Sequence, residues 1–240
     1  MIKLKANKQP FQLAQGWHEV TLKQWKLIEK AQTSHQIAEI LTGLEVNDDT
    51  LFQLLPFLKW FETPFNKDSW KLPTQIEIAG QKYSTSINIR NKEYAQKILL
   101  QQLKPTDFLL SIMIYMQPVI DKALFDYERA IELMPLLDDV LLCELYPLAE
   151  NIYKQLKRIV DTEREEIVAK PTAEQIRAGI AMFDVFGVNN TIDALAGGDV
   201  LKYNDILRLD YNTIFVKLKR NKLESTFKNN YSKIMNNKQN

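Results

Sequence analysis

The chain holds two histidines, His18 and His35, and one cysteine, Cys143, so the side chains that most often do nucleophilic or metal chemistry are scarce. A zinc site needs three or four imidazole, thiolate or carboxylate ligands brought together, and a helical protease-type site needs histidines one turn apart. His18 and His35 stand 17 positions apart with no thiolate between them, and neither H-x-x-x-H nor E-x-x-H spacing occurs. They read as surface or structural residues. Cys143 lies in Val140-Leu141-Leu142-Cys143-Glu144-Leu145, where a free thiol behaves as a small hydrophobe. No histidine neighbours it in sequence to lower its pKa, so a core position is expected. Carboxylates are plentiful between Asp107 and Glu150, nine acids against two bases, a local net charge of −7. Paired carboxylates suit acid–base work or a di-metal bundle, but the bundle needs histidine ligands and this stretch has none. Asp138-Asp139 and the pair Glu128, Glu132 read instead as solvated helix faces. No catalytic residue, cofactor site or metal site is expected, and the chain reads as non-enzymatic.

Charge and aromatic patterning point to contacts rather than to catalysis. From Phe215 to Asn240 there are seven bases (Lys217, Lys219, Arg220, Lys222, Lys228, Lys233, Lys238) and one acid, Glu224, a net of +6. Such a patch meets phosphates without reading sequence, or docks on an acidic protein surface. Phe227 and Tyr231 are four apart, the spacing of a helix face rather than of a base-stacking platform on a sheet. Protein contact is therefore favoured over nucleic acid. Phe57, Trp60, Phe61, Phe65 and Trp70 gather around Pro56 and Pro64, as core or as a partner-binding patch. The candidate partner-binding residues are Lys217, Lys219, Arg220, Lys222, Phe227, Tyr231, Trp60 and Phe65.

Behind these residues stands a chain of 240 residues, 45% hydrophobic, with net charge +1 and 7 Gly. That apolar fraction builds a core and excludes bulk disorder. The single thiol excludes an intramolecular disulfide framework and suits a reducing compartment. Met1-Ile2-Lys3-Leu4-Lys5 runs into polar residues, so no targeting segment is expected. The strongest apolar run, Phe108 to Met116, is nine residues long, against about 20 for a bilayer span. It reads as a buried helix, and no membrane contact is expected.

The elements that must position these groups are mainly helical. Ile2, Leu4 and Ala6 alternate with lysines as in an N-terminal strand. Thr21 with Gln24, Thr33 with Gln36, and Thr172 with Gln175 fit capping boxes, and Gly43 fits a left-handed helix end. Asp48 or Asp49 is expected to cap a helix broken near Pro56. Ala79-Gly80-Gln81-Lys82 predicts a β-hairpin with Gly80-Gln81 as its loop. That register sets Ile78 opposite Tyr83, Ile76 opposite Thr85 and Thr74 opposite Ile87. Further helices are expected from Tyr94 to before Pro105 and from Thr106 to Pro118. Others are expected after Asp126, from Pro147 to Val168 with Ile152, Leu156 and Ile159 facing inward, and from Thr172 to Gly187, carrying Ile176, Ile180 and Phe183. The last long helix starts near Tyr211 and carries Ile214, Leu218, Phe227, Tyr231 and Ile234. All four tryptophans fall in the first 70 residues. Residues 1–90 are therefore read as a Trp-rich unit with the hairpin, and residues 91–240 as a helical, bundle-like unit ending in the basic helix.

Several stretches resemble structural and assembly proteins of tailed bacteriophages of the Bacteroidetes, crAss-like type. They are Trp17-His18-Glu19-Val20-Thr21-Leu22 with Ile40-Leu41-Thr42-Gly43-Leu44, then Ile114-Tyr115-Met116-Gln117-Pro118 with Phe125-Asp126-Tyr127-Glu128-Arg129-Ala130. Ile192-Asp193-Ala194-Leu195-Ala196-Gly197-Gly198-Asp199 adds to them. The likeness is spread over most of the chain and contains no catalytic or ligand motif. It implies a virion protein assembled in the host cytoplasm, a ring or connector at the head–tail junction or in the tail. The partners would be other phage structural proteins and further copies in a homo-oligomeric ring. The same resemblance allows a tail assembly chaperone absent from the mature virion. An adaptor that binds nucleic acid through the basic C-terminal helix is the rival from another class.

Overall fold

The computed structural model describes residues 2–6, 9–63, 65–66 and 69–237, with side chains described from residue 13 to 236 within those ranges. The protein is mainly α, as the periodicity predicts. Its described strands form two separate two-stranded antiparallel ladders, β1 (Ile2–Ala6) with β2 (Gln9–Leu13) and β3 (Gln75–Ile78) with β4 (Gln81–Ser84). The expected N-terminal strand is therefore one arm of a hairpin, with Leu4 opposite Phe11. The expected alternation of its side chains, together with Pro64 and Lys238, lies outside the described residues.

The chain divides into two compact units, and the division does not follow chain order. Residues 1–87 and 104–152 form the first; residues 88–103 and 153–240 form the second. The Trp-rich N-terminal part thus shares its core with residues beyond 91, and the single boundary near residue 90 gives way to a discontinuous one.

In the first unit, α1 (Leu22–Ile28) opens on a capping box from Thr21 to Gln24, and α2 (Ser34–Thr42) on one from Thr33 to Gln36. Gly43 closes α2 at φ 70°. α3 (Asp48–Leu58) is capped by Asn47, whose side chain accepts from the Thr50 amide at 2.9 Å. Asp48 and Asp49 sit in its first turn rather than at the cap, where they face the positive end of the helix dipole. Pro56 lies inside α3, and the helix passes into a 3-10 turn only at Lys59–Glu62. α5 (Phe108–Asp121) likewise carries Pro118 internally instead of ending there, and stops at Lys122 with φ 53°. Ser111 to Gln117 are buried without a break. Packing on every side of that run outweighs the amide hydrogen that a proline lacks.

Asp126 caps α6 (Tyr127–Glu132) through the Arg129 amide. α7 (Leu142–Glu166) begins five residues before Pro147, which sits within it. A local backbone ladder sets that early start: the Leu22 amide donates to the Val140 carbonyl, and the Leu142 amide to the Val20 carbonyl. The part of α7 through Ile152 belongs to the first unit, and the part from Tyr153 to the second.

The β3–β4 hairpin forms with its turn one residue earlier than expected. Ala79 (φ 51°) and Gly80 (φ 77°) are the two turn residues. Ile76 pairs with Tyr83 and Ile78 with Gln81. The backbone is a type I′ turn, whose twist matches that of the strands better than the unprimed types. It places Ala79 in the left-handed region, which an L side chain enters at a cost of about 1–2 kcal/mol. Side-chain parity survives the two-residue register change, so Ile76, Ile78, Thr85 and Ile87 are buried, while Tyr83 is half-buried and Thr74, also expected on that face, is exposed.

In the second unit, α4 (Tyr94–Gln102) packs with α10 (Tyr203–Arg208) and α11 (Tyr211–Asn237), and a two-residue bridge joins Glu93 to Asp210. The expected long helix after Thr172 is short. α8 (Ala173–Arg177) ends at Gly179 in the left-handed region, and Ile180–Phe186 continue as a seven-residue 3-10 helix. α9 (Val188–Ala196) follows and closes at Gly197.

Candidate functional site

Within the second unit the core is held by a buried charge. Lys97 of α4 is 4% exposed. Its Nζ meets Glu163 Oε1 of α7 at 2.6 Å, and Tyr211 of α11 donates its hydroxyl to the same oxygen at 2.9 Å. The ammonium also lies over the Tyr211 ring, 4.9 Å from its centroid, and the Tyr94 and Tyr211 rings stack at 6.3 Å. Burial lowers the Lys97 pKa, with Glu163 opposing the shift. Burial, and then the Glu163 charge, push the Tyr94 hydroxyl up to about 12 and raise Tyr211 as well. Among the described residues no buried side-chain polar atom lacks a partner, so the cluster ties α4, α7 and α11 together rather than presenting a reactive amine. The sequence gives little warning of it, because Lys97 and Glu163 are 66 positions apart.

Beyond that anchor, α11 changes character. Tyr211, Ile214 and Phe215 are buried, with Arg90 stacked over the Phe215 ring. Val216, Leu223, Phe227, Tyr231 and Ile234 are between 56% and 68% exposed. At about 100° per residue, the buried set and the exposed set fall on roughly opposite sides of the helix. Phe227 and Tyr231 stack on each other at 6.1 Å. The exposed set is therefore not a frayed continuation of the core face but a second apolar stripe.

The basic residues divide as well. Lys219 pairs with Glu166 at 2.7 Å, and Arg220 with Glu224 at 2.8 Å. Lys222 donates to the carbonyls of Glu165 and Val168 at the end of α7, the place where a cation complements the helix dipole. Three of the candidate contact bases thus work inside the unit. Lys217, Lys228 and Lys233 have no ion-pair partner among the described residues.

A second bare apolar surface lies at α8 and the 3-10 helix after it. Ile176, Ile180, Met182, Phe183, Val185 and Phe186 are all exposed, Val185 to 80%. Ile176, Ile180 and Phe183, expected on one continuous helix, fall on two separate elements. Gly179 ends the helix between Ile176 and Ile180, and the 3-10 winding after it, about 120° per residue, stacks Ile180, Phe183 and Phe186 on one face that is left exposed.

In the first unit, Trp60 and Phe65 are half-buried in an aromatic cluster. Trp17 lies 5.3 Å from Trp60 and 5.6 Å from Phe65, while Tyr146 stacks on Phe108 at 4.7 Å and meets Phe65 at 5.3 Å. Both indole N–H groups are satisfied, Trp60 by the Ala14 carbonyl and Trp17 by the Thr63 carbonyl. The exposed aromatics nearby are Phe52 and Phe57 of α3.

The acidic surface belongs to the first unit. A groove of about 450 Å³ is lined by Glu77, Asp139 and Glu144 together with Pro135, Leu136 and Leu141. Burial and the Glu77 charge raise the Glu144 pKa. At the α5–α6 corner, Asp126, Glu128 and Glu132 are exposed beside Leu124, Tyr127 and Ile131. Gln117 stiffens that corner by accepting from the Asp126 amide and donating to the Leu124 carbonyl, and Arg129 spans Asp121 and Glu132.

The residues first considered for chemistry do not converge. His35 meets Asp48 at 2.8 Å, and His18 is exposed. Cys143 is half-buried with its Sγ 3.0 Å from the His18 carbonyl oxygen, and burial raises its pKa, which keeps the thiol protonated. Among the described residues no group of three or more His, Cys, Asp or Glu could hold a metal ion, and no helix is long and apolar enough to cross a membrane. The chain matches no protein family, and comparison with curated proteins and with solved structures finds no match.

Proposed function

We propose that this chain is a non-enzymatic structural protein of a tailed-bacteriophage virion, a ring or connector component of the head–tail junction or tail that acts through protein–protein contacts. The observation that carries the reading is the pair of uncovered apolar surfaces in the second unit, Ala173–Phe186 and the distal stripe of α11. Large contiguous apolar patches are uncommon on a protein that works alone, and they mark surfaces that a partner covers. Charge supports contact with protein over nucleic acid. Lys219, Arg220 and Lys222 spend their charge on partners within the unit, leaving fewer bases to neutralise phosphates. Mass spectrometry of purified virions tests the reading. Many copies per particle support a ring component. Absence from the particle, with abundance during infection, would replace it with the assembly-chaperone role.

A further inference from the structure

The distal stripe of α11 (Val216, Leu223, Phe227, Tyr231, Ile234) is flanked on both sides by lysines. At about 100° per residue, Lys217 and Lys228 lie on one flank and Lys233 on the other. Glu224 shares the flank of Lys217 and Lys228 and is paired with Arg220, so the rim of each stripe stays net positive and pairing of α11 with itself is opposed by charge. The α5–α6 corner offers the reverse pattern. Leu124, Tyr127 and Ile131 are exposed there, and Glu128 and Glu132, one turn apart, run along one side of the Tyr127–Ile131 pair; Arg129 bridges Glu132 to Asp121, and the corner stays net acidic with Asp126 and Glu128. Apolar area is available on both surfaces, and the rims carry opposite sign.

We propose that the distal stripe of α11 docks on the α5–α6 corner of a second copy of this chain, head to tail. The inference rests on the ring reading above and supplies its repeating contact. The two surfaces are different, so each copy carries one of each. A contact of this kind is heterologous and propagates until it closes into a ring. Charge balance within the chain fits this arrangement, a segment of net −7 and a segment of net +6 in a protein of net +1. The ion pairs set register and orientation, and the apolar stripe supplies the buried area. A single helix stripe covers less than the ~800 Å² per partner of a standard interface. Each contact alone is therefore weak, and ring closure raises the effective concentration of the last one.

The experiment uses the full chain and analytical ultracentrifugation over a range of concentration and salt. The first variant is Lys228→Glu with Lys233→Glu; the second is Glu128→Lys with Glu132→Lys. All four positions are exposed, and circular dichroism checks that both variants keep the parent helicity. The parent is expected to associate, more weakly as salt rises. Each variant alone is expected to stay monomeric under conditions where the parent associates. An equimolar mixture of the two is expected to associate again, because every α11 then meets a rim of opposite sign. A third variant, Phe227→Ala with Ile234→Ala, should weaken association about 10-fold or more at any salt. The inference is overturned if the parent stays monomeric, if the charge variants associate like the parent, or if mixing does not restore association. Loss of DNA-oligonucleotide retention in the lysine variant with unchanged association would also overturn it, in favour of nucleic acid. Failure of self-association leaves the virion reading to mass spectrometry, and absence from the virion leaves the docking contact intact, so the two can fail separately.

Discussion

The two halves of α11 form one continuous helix and differ in nearly everything else. The first half inserts Tyr211, Ile214 and Phe215 into a core where the buried Lys97 pairs with the half-buried Glu163. The second half carries as many large apolar side chains and leaves them bare. The difference is one of phase: past Leu218 the apolar positions move to the opposite face of the helix. A helix whose apolar face is set by one core keeps that face along its length. Here the face switches, and the distal apolar side chains stay exposed.

The largest expected effect lies in the buried half. Lys97→Ala should destabilise the second unit by about 3 kcal/mol, because the half-buried Glu163 would lose its partner and the Lys97 stem would leave a gap in the core. Lys97→Met keeps the packing volume; with Glu163→Gln added, the uncompensated charge is gone and most of that loss should be recovered. Urea unfolding followed by circular dichroism measures both. Equal losses in the single and double variants would show that the pair is not what holds α4, α7 and α11 together.

A pH series sharpens the same point. The folded pKa of Tyr94 lies near 12 against an ordinary value of 10.0. A raised folded pKa means that the unfolded chain loses its proton first. The stabilisation is therefore complete below pH 10 and is lost as pH climbs through about 12. The shift corresponds to about 2–3 kcal/mol. Lys97, whose pKa is lowered, acts in the opposite direction: between its folded pKa and 10.5 stability gains as pH rises. Tyr94→Phe should flatten the alkaline fall in stability, measured as urea midpoint against pH. A fall of unchanged steepness would place the alkaline sensitivity elsewhere.

A smaller effect belongs to the β3–β4 turn, where structure is set locally rather than by a remote charge. Gly80 sits at φ 77° with open space around it, so Gly80→Val acts through backbone strain alone. It should cost the first unit about 1–2 kcal/mol and speed amide exchange in residues 75–84. Ala79→Asn creates the Asn-Gly pair that type I′ turns prefer and should gain a few tenths of a kcal/mol. A gain from Gly80→Val would refute the turn geometry.

What the sequence made legible follows the same division between local and remote causes. The capping boxes at Thr21, Thr33 and Thr172 and the helix end at Gly43 formed where expected, because each is closed by residues within a few positions. The hairpin face was legible and its turn was not, since alternation fixes parity while Ala79 entered the left-handed region against its own preference. Pro118 and Pro147 were read as helix boundaries, but packing around α5 and the Val20–Leu142 backbone ladder carried the helices past them. Compare also α5 with Ala173–Phe186. Both are rich in apolar residues; Ser111 to Gln117 are covered by the first unit, and the later segment is covered by nothing among the described residues. Hydrophobicity states that a surface needs covering and is silent about whether the same chain supplies the cover. The basic patch was legible as charge, but the commitment of Lys219 and Lys222 to the end of α7 needed the fold. The phase switch in α11 lies in the spacing itself, since Tyr211, Ile214 and Phe215 and then Leu223, Phe227, Tyr231 and Ile234 fall on opposite sides at about 100° per residue.

The smallest expected effect closes the contrast from the bare half. Phe227→Ala and Ile234→Ala remove large side chains from α11, and in a core either would cost about 2–5 kcal/mol. Here both side chains are more than half exposed, and their removal opens no enclosed cavity, since the ring stacked on Phe227 is the equally exposed Tyr231. The transfer term is small as well, since little of their apolar area leaves water on folding of the single chain. The pair should therefore change the unfolding free energy of the monomer by no more than about 0.5 kcal/mol, measured under dilute conditions where association does not contribute. A short distal helix held by few contacts also frays, so some loss of helical signal at high temperature is compatible with that value. A monomer destabilised by more than about 2 kcal/mol would mean that the distal stripe already packs on its own chain, and that α11 has one surface to meet rather than two.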